Sequence, residues 1–125
     1  MSEIQPHVRR FAFPRAERLQ KKREFERIYA AGVRLRTREF VFLAMPNGLA
    51  VSRAGIVASR KVGDAPRRNR AKRILRAAYR LNKSRIGVPC DVVLIATPSW
   101  ERLRLEVVEP ELQRTIEKLN AILRR

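Results

Sequence analysis

Apolar side chains recur every three or four residues in three segments of the chain, and this spacing predicts three amphipathic helices. The segments are residues 21–31, about 65–83 and 109–124. Gly32 directly follows the first segment, so we expect it to end that helix in the left-handed conformation that glycine adopts without strain. Asp64 precedes the second segment and can cap its free amides, and Pro66 fits a first helical turn.

Three other segments predict β-strands because they are rich in β-branched and aromatic residues. They are residues 34–45, 51–62 and 91–97. Phe40 and Phe42 share one face of the first strand and are expected in the core. The sequence Pro46-Asn47-Gly48 follows this strand and predicts a hairpin-type connection to the second. The third strand is almost wholly apolar, so we expect it at the centre of a sheet with both faces buried.

The order of these elements predicts an α+β fold, an α/β sandwich in which helices cover one sheet. A chain of 125 residues with 45% hydrophobic residues can form one compact domain, which we place at residues 15–125. A further short strand is compatible with residues 15–19. Residues 1–14 lack periodicity and are expected to form a mobile arm that Phe11 and Phe13 hold to the domain.

Basic residues outnumber acidic ones so strongly that the chain needs an anionic partner. It holds 29 Lys and Arg against 12 Asp and Glu, a net charge of +17. Residues 52–85 carry 12 basic side chains and one acidic side chain, whereas residues 86–125 carry six of each. A positive field so concentrated favours one binding face for RNA or DNA. An anionic membrane surface or an acidic protein would also bind such a face.

The basic residues of the central helix gather on one side of it. At about 100° per residue, Ala71, Leu75 and Ala78 fall on an arc that can pack on a sheet. The opposite arc holds Arg68, Asn69, Lys72, Arg73, Arg76, Arg80 and Lys83. No Asp or Glu lies between Ala65 and Arg85, so ion pairs within the helix cannot neutralise this face. Arginine forks match phosphate geometry, and a row of similar donors suits the backbone of a folded RNA better than base recognition.

Composition excludes several classes of function. Cys90 is the only cysteine and His7 the only histidine, which excludes a disulfide framework, multi-cysteine zinc sites and histidine-pair metal sites. We expect Cys90 and Trp100 to be packing residues and assign no role to His7. The longest apolar run, residues 40–45, is far shorter than the roughly 20 residues of a membrane span, and residues 1–14 lack the apolar core of a secretory signal. We therefore expect a soluble, cytoplasmic protein with no membrane partner and no small-molecule substrate.

The basic segment carries an extended motif. Residues 59–63 are Ser-Arg-Lys-Val-Gly, and residues 65–76 are Ala-Pro-Arg-Arg-Asn-Arg-Ala-Lys-Arg-Ile-Leu-Arg. This pattern resembles the signature of the bacterial ribonuclease P protein component, a Ser-basic-Lys-Val/Ile-Gly strand end followed by Arg-Asn-x-x-Lys-Arg-x-x-Arg. The resemblance covers about residues 15–123. It implies a mixed sheet of about four strands, a central basic helix in a left-handed βαβ crossover, and N- and C-terminal helices.

The resemblance also implies a division of labour in a ribonucleoprotein. The RNA subunit carries the catalytic Mg²⁺ ions and removes the 5′ leader of precursor tRNA, so the protein supplies no catalytic residue and no metal site. We expect one protein per RNA subunit. The motif and the basic face of the central helix together give the side chains that we expect to bind the RNA subunit: Arg60, Lys61, Arg67, Arg68, Asn69, Arg70, Lys72, Arg73, Arg76 and Arg80.

An aromatic pair in the first helix is a second candidate site. Phe25 and Tyr29 are four residues apart and share one helix face. Two rings beside basic residues can stack the bases of single-stranded RNA, but their spacing alone fits a core position equally well. The resemblance favours the first interpretation, since it implies a leader-binding cleft between this helix and the sheet. It places Leu43 in the same cleft, where the family often has an aromatic residue.

Two alternatives share the basic composition. A ribosome-associated structural protein or a general RNA chaperone would bind RNA without needing a cleft for a single strand. A nuclease acting by itself would need a pair of carboxylates for two metal ions, whereas the basic segment has only Asp64, which the helix cap uses.

Overall fold

The fold was obtained as a computed structural model, which describes residues 12–98 and 104–125. Its helices are α1 (Lys22–Ala31), α2 (Ala65–Asn82) and α3 (Leu105–Leu123), and its strands are β1 (Val33–Arg36), β2 (Phe40–Pro46), β3 (Arg53–Val57) and β4 (Cys90–Ala96). The predicted α+β class is confirmed, although α3 begins four residues before its predicted start. His7, Phe11 and Trp100 lie outside the described residues.

The four strands form one mixed sheet in the order β1-β2-β4-β3. β4 lies in the interior, antiparallel to β2 and parallel to β3, and all of its residues except Ile95 are buried. The prediction of a buried central strand is therefore confirmed. Because β4 separates β2 from β3, the turn at residues 46–48 does not join a hairpin, and that prediction is wrong. α2 connects the parallel neighbours β3 and β4, and the left hand of this crossover stays a prediction.

The hairpin of this sheet lies inside the segment predicted to be one strand. β1 and β2 pair antiparallel, with Arg36 opposite Val41, and residues 37–39 turn the chain between them. The amide of Thr37 donates to the carbonyl of Phe40 at 2.9 Å, and its hydroxyl accepts from the Phe40 amide at 3.1 Å. This turn uses no glycine or proline, so its local sequence does not mark it.

α1 ends at a close contact with the sheet. Gly32 has φ −73° and ψ 154°, so the predicted left-handed conformation is wrong. A Cβ atom at Gly32 would lie 2.7 Å from the carbonyl oxygen of Ile28 and 3.2 Å from that of Ala44. The position requires glycine because of space, and this contact lets β1 start directly beside β2.

The sheet has a separate hydrophobic cluster on each face. Phe40 and Phe42 are fully buried, as predicted, in the cluster that β2 and β4 form with α2 and α3. On the opposite face, Ile28 of α1 packs with Leu43 and Val93. α1 therefore packs on one face of the sheet, whereas the two longer helices pack on the other.

The segment before α1 lies along the sheet without forming the short strand that its sequence allowed. Arg15–Glu17 make a 3₁₀ turn, and Arg18 makes a single parallel bridge to Ala54. Phe13 is buried against Tyr79, with ring centroids 5.4 Å apart. Phe13 thus packs on the domain as predicted, whereas residues 1–11 of the expected mobile arm lie outside the described residues.

Candidate nucleic-acid interface

α2 separates its apolar and basic residues as predicted. Asp64 caps the helix by accepting from the amide of Arg67 at 3.2 Å, and Pro66 lies in the first turn. Ala71 and Leu75 are buried in the core. The exposed or half-exposed residues of the helix include Arg67, Arg68, Asn69, Arg70, Lys72, Arg73, Arg76 and Arg80.

Most of these cations form no ion pair with a carboxylate of the described residues. Within residues 12–98 and 104–125, no carboxylate forms an ion pair with Arg68, Arg70, Lys72, Arg73 or Arg76. A rigid face of this kind keeps its positive field until an external anion binds. Its donors, arranged along a helix, suit the repeated phosphates of an RNA backbone.

The turn before α2 adds two cations at its N-terminal end. Arg60 and Lys61 are exposed on a 3₁₀ turn, in which the amide of Lys61 donates to the hydroxyl of Ser59 at 3.3 Å. Gly63 joins this turn to the helix with φ 142°, a conformation that residues with a side chain rarely adopt. The helix N-terminus itself also favours anions. We call Arg60, Lys61 and the eight polar residues of α2 named above the α2 basic surface.

Lys83 does not belong to this surface, although its position in the sequence suggested that it would. α2 ends at Asn82, and the Lys83 ammonium donates to the carbonyl of Ala12 and pairs with the carboxylate of Glu17. Its side chain is only 11% exposed. Lys83 therefore ties the segment before α1 to the end of α2.

The α1 face of the sheet offers a different kind of surface. The strand register places Val41, Ile95 and Val57 side by side across β2, β4 and β3. Ile95 and Val57 are half-exposed. The ring of Phe25 lies directly on Gly55, where a Cβ atom would come within 2.4 Å of the Phe25 Cε1 atom. We call Phe25, Val41, Ile95 and Val57 the apolar floor.

The three residues predicted for the leader cleft differ in their exposure to solvent. Phe25 is half-buried on the sheet, and Tyr29 is 46% exposed. Leu43 is only 1% exposed and packs beneath α1 with Ile28 and Val93. A ligand on this face can reach Tyr29 and the exposed part of Phe25. Leu43 offers it no contact surface, because α1 covers that part of the sheet, so the expected place of Leu43 in the cleft is corrected to a core position beneath it.

An ion-pair network fixes the first turn of α1 on the sheet. Arg53, at the start of β3, donates to both oxygens of the Asp91 carboxylate at 2.9 and 2.7 Å. It also donates to Glu24 of α1 at 2.7 Å. The second oxygen of Glu24 accepts from the amides of Gln20 and Lys21 at 3.1 and 2.8 Å. One carboxylate thus caps α1 and holds it to the sheet.

Both carboxylates of this network are charged at neutral pH. Burial alone raises the pKa of Asp91, but hydrogen bonds and nearby cations, chiefly Arg53, lower it further than burial raises it. The hydrogen bond from the Lys21 amide is the largest of the causes that lower the pKa of Glu24. Because Phe25 follows Glu24 in the chain, the network also sets where the aromatic ring meets the sheet.

The described residues show no metal site and no membrane span. No group of three or more His, Cys, Asp and Glu side chains in residues 12–98 and 104–125 could hold a metal ion. In the same part of the chain, every helix is too short or too polar to cross a bilayer.

Cys90 is buried, its thiol donates to the carbonyl of Val88 at 3.1 Å, and burial raises its pKa to about 11. Cys90 is therefore the inert packing residue that we predicted.

A comparison with known protein families decides the family of this chain. The family model described as Ribonuclease P matches residues 13–120. The chain belongs to the ribonuclease P protein family. This family supplies the protein component of ribonuclease P, an RNA-binding protein of tRNA processing.

Relatives from several organisms match most of the chain. The ribonuclease P protein component of Geotalea uraniireducens is 39% identical over 113 residues, which are 90% of this chain and 99% of the relative. That of Thermotoga maritima is 40% identical over 112 residues, 86% of this chain and 96% of the relative. The predicted resemblance to this family is confirmed.

Solved structures of the family share the fold. The ribonuclease P protein from Thermotoga maritima superposes with a TM-score of 0.73 at 37% identity, covering 82% of this chain and 96% of that one. The Staphylococcus aureus protein gives a TM-score of 0.74 at 29% identity, covering 84% of this chain and 96% of that one. The described fold is therefore that of a ribonuclease P protein.

Sequence reasoning missed the residues that depend on distant partners. Glu24, Arg53 and Asp91 were not assigned, because 29 and 38 residues separate Arg53 from its two partners. Ile95 and Val57 were assigned only to strands, since their place in the apolar floor follows from strand register. An aspartate at the start of an otherwise apolar strand was the one signal that could have indicated a buried partner.

Proposed function

We propose that this chain is the protein subunit of a ribonuclease P, which binds the catalytic RNA through the α2 basic surface and the 5′ leader of precursor tRNA along the apolar floor. The observation that carries the proposal is the basic surface itself. Five of its arginine and lysine side chains have no carboxylate partner within the described part of the chain, and they lie on one rigid helix. Such a surface fits a large, folded polyanion.

The apolar floor supports the second half of the proposal. A single strand needs ring faces for its bases and cations for its phosphates. Tyr29 presents an exposed ring, Phe25 presents a half-buried ring, and Ile95 and Val57 continue the apolar surface. Arg60 and Lys61 follow closely after β3, so a strand held on the floor would lie near the α2 basic surface.

We assign the chemistry of leader removal to the RNA subunit and its Mg²⁺ ions. Two carboxylates between α1 and the sheet support this assignment, because Glu24 and Asp91 are both engaged by Arg53. The protein's contribution is then binding and positioning of the leader, with no catalytic side chain and no metal of its own. We expect one protein per RNA subunit, and we expect the complex in the cytoplasm.

Reconstitution separates this function from its alternatives. Incubated with precursor tRNA, the protein alone will leave the leader intact. With the cognate ribonuclease P RNA, the protein will tighten precursor binding and promote cleavage, measured on gels with 5′-labelled substrate. Cleavage by the protein alone would support an independent nuclease, and RNA-dependent cleavage that the protein does not change would support a general RNA chaperone or a structural protein.

Replacing Phe25 and Tyr29 together with leucine will weaken holoenzyme binding of precursor tRNA by about tenfold, since base stacking is worth roughly 1–3 kcal/mol per base. Leucine keeps the apolar contact with Gly55 but removes the ring faces. Binding of mature tRNA, which has no leader, will not change. Equilibrium binding of both tRNAs to the holoenzyme measures the difference.

The single variant Tyr29→Leu controls for damage to the fold. Tyr29 is exposed, so its replacement leaves the cluster beneath α1 intact, and it will still lose part of the preference for precursor over mature tRNA. A folded double variant that keeps the full preference would show that these rings do not hold the leader.

A further inference from the structure

The edge strand β1 carries cations on the same face of the sheet as the apolar floor. The register pairs Arg34 with Leu43 and Arg36 with Val41, and both partners face α1. Arg34 and Arg36 are exposed, and neither forms an ion pair or a side-chain hydrogen bond with another described residue. β1 therefore places two arginines without carboxylate partners among the described residues at the edge of the sheet. We call Arg34 and Arg36 the arginine rim.

This rim lies at one end of the apolar floor. One cross-strand row runs from Arg36 of β1 through Val41 and Ile95 to Val57 of β3. Neighbouring strands are about 4.8 Å apart, so the row is about 14 Å long. The β3 end of the row leads to Arg60 and the α2 basic surface, and the β1 end leads to the arginine rim.

More cations continue beyond this edge. Arg36 lines a cavity of about 370 Å³ together with Arg38, Arg114 and Lys118. Two carboxylates also line it: that of Glu111, which pairs with Arg114, and that of Glu39, a residue that is 6% exposed. The cations outnumber the carboxylates here, so the positive potential of the rim does not end abruptly at β1.

We propose that the leader crosses the sheet from β3 to β1 and that Arg34 and Arg36 bind the phosphates of its upstream nucleotides. This proposal rests on the proposed function, because it extends the path of the same strand. A leader that enters beside the α2 basic surface meets the apolar floor first and the arginine rim last. The ligand of the rim is single-stranded RNA backbone, bound without base readout, because exposed arginines pair with phosphate and no ring lies on β1.

The double variant Arg34→Gln/Arg36→Gln tests this path in the holoenzyme, reconstituted with the cognate ribonuclease P RNA. Its matched control is Arg124→Gln/Arg125→Gln, which removes two exposed charges at the end of α3. Three RNAs are compared at several salt concentrations: mature tRNA, and precursors with leaders of about two and about ten nucleotides, which bracket the small end of single-strand site sizes.

The double variant will bind the long-leader precursor about fivefold to tenfold more weakly than the wild type, with a salt slope shallower by about 1.4, since each single-strand phosphate contact contributes about 0.7. Its binding of the short-leader precursor and mature tRNA will match the wild type, and the control variant will bind all three RNAs with wild-type affinity. An equal loss on all three RNAs would assign the rim to the RNA subunit and overturn the path. No loss on any RNA would show that the rim binds no RNA.

The experiment also distinguishes failure of the path from failure of the proposed function. A wild-type holoenzyme that binds long-leader, short-leader and mature tRNA equally has no leader site. That result would overturn the proposed leader binding and the path together, whereas a wild-type preference that persists in the double variant would overturn the path alone.

Discussion

Replacing Arg68, Lys72 and Arg73 together with alanine will weaken binding of the ribonuclease P RNA by about two orders of magnitude. None of the three has a carboxylate partner within the described residues, so each is available to phosphate. A hydrogen bond to a charged group contributes about 1.5–3 kcal/mol, and neighbouring contacts are not additive. The log–log salt slope will become shallower by about 2 to 3, because each phosphate contact contributes about 0.7 to 0.9.

The control for this variant removes the same charge from another helix. Lys118, Arg124 and Arg125 are exposed on or just after α3, and their replacement with alanine will change RNA affinity much less. Both triple variants should fold, since the buried side of α2 is untouched, and circular dichroism with urea denaturation checks this. A folded α2 variant with an unchanged salt slope would exclude the α2 basic surface as the RNA-binding face.

Local pattern predicted the elements of this fold better than their pairing. α2 was predicted closely because its cap, its first-turn proline and its apolar spacing lie within one segment of the chain. The hairpin was misplaced because Thr37 makes a turn without glycine or proline, whereas the Pro46-Asn47-Gly48 turn leads into a loop. β4 then inserts between β2 and β3 from more than 30 residues away. The hydrophobic pattern of a strand does not indicate which distant strand pairs with it.

The candidate site shows the same division. The α2 basic surface could be predicted, since absence of acidic residues along one helix is a local property of the sequence. The sequence could not show which of the two rings is buried and which is exposed, because Phe25 and Tyr29 share a helical face. Only the sheet beneath α1 decides that Phe25 rests on Gly55 while Tyr29 stays exposed.

Replacing Arg53 with methionine will lower the free energy of unfolding by about 3 kcal/mol at pH 7, which is the lower end of the cost of removing one partner from a buried pair. Asp91 is 1% exposed and would keep a buried charge, while Arg53 is itself 20% exposed. Arg27→Met is the matched control. Arg27 lies 4.0 Å from the same carboxylate but is 60% exposed, so its loss will cost less than about 1 kcal/mol. Urea denaturation of both variants measures the difference.

Lowering the pH from 7 to about 5 will narrow the gap between the free energies of unfolding of Arg53→Met and the wild type. In the wild type, the folded pKa of Asp91 lies below its unfolded value of about 3.9, so its stabilising contribution is complete above that value and is lost only as the pH falls through the folded pKa. In the variant, Asp91 stays buried but loses Arg53, so its folded pKa rises above its unfolded value. The penalty of the buried charge is then largest above that raised pKa and fades as the carboxylate takes up a proton. The further change Asp91→Asn removes the titrating group, so the gap of that double variant will not respond to pH in this range. An equal gap at both pH values in Arg53→Met itself would show that Asn47 and Arg27 suffice to keep Asp91 charged.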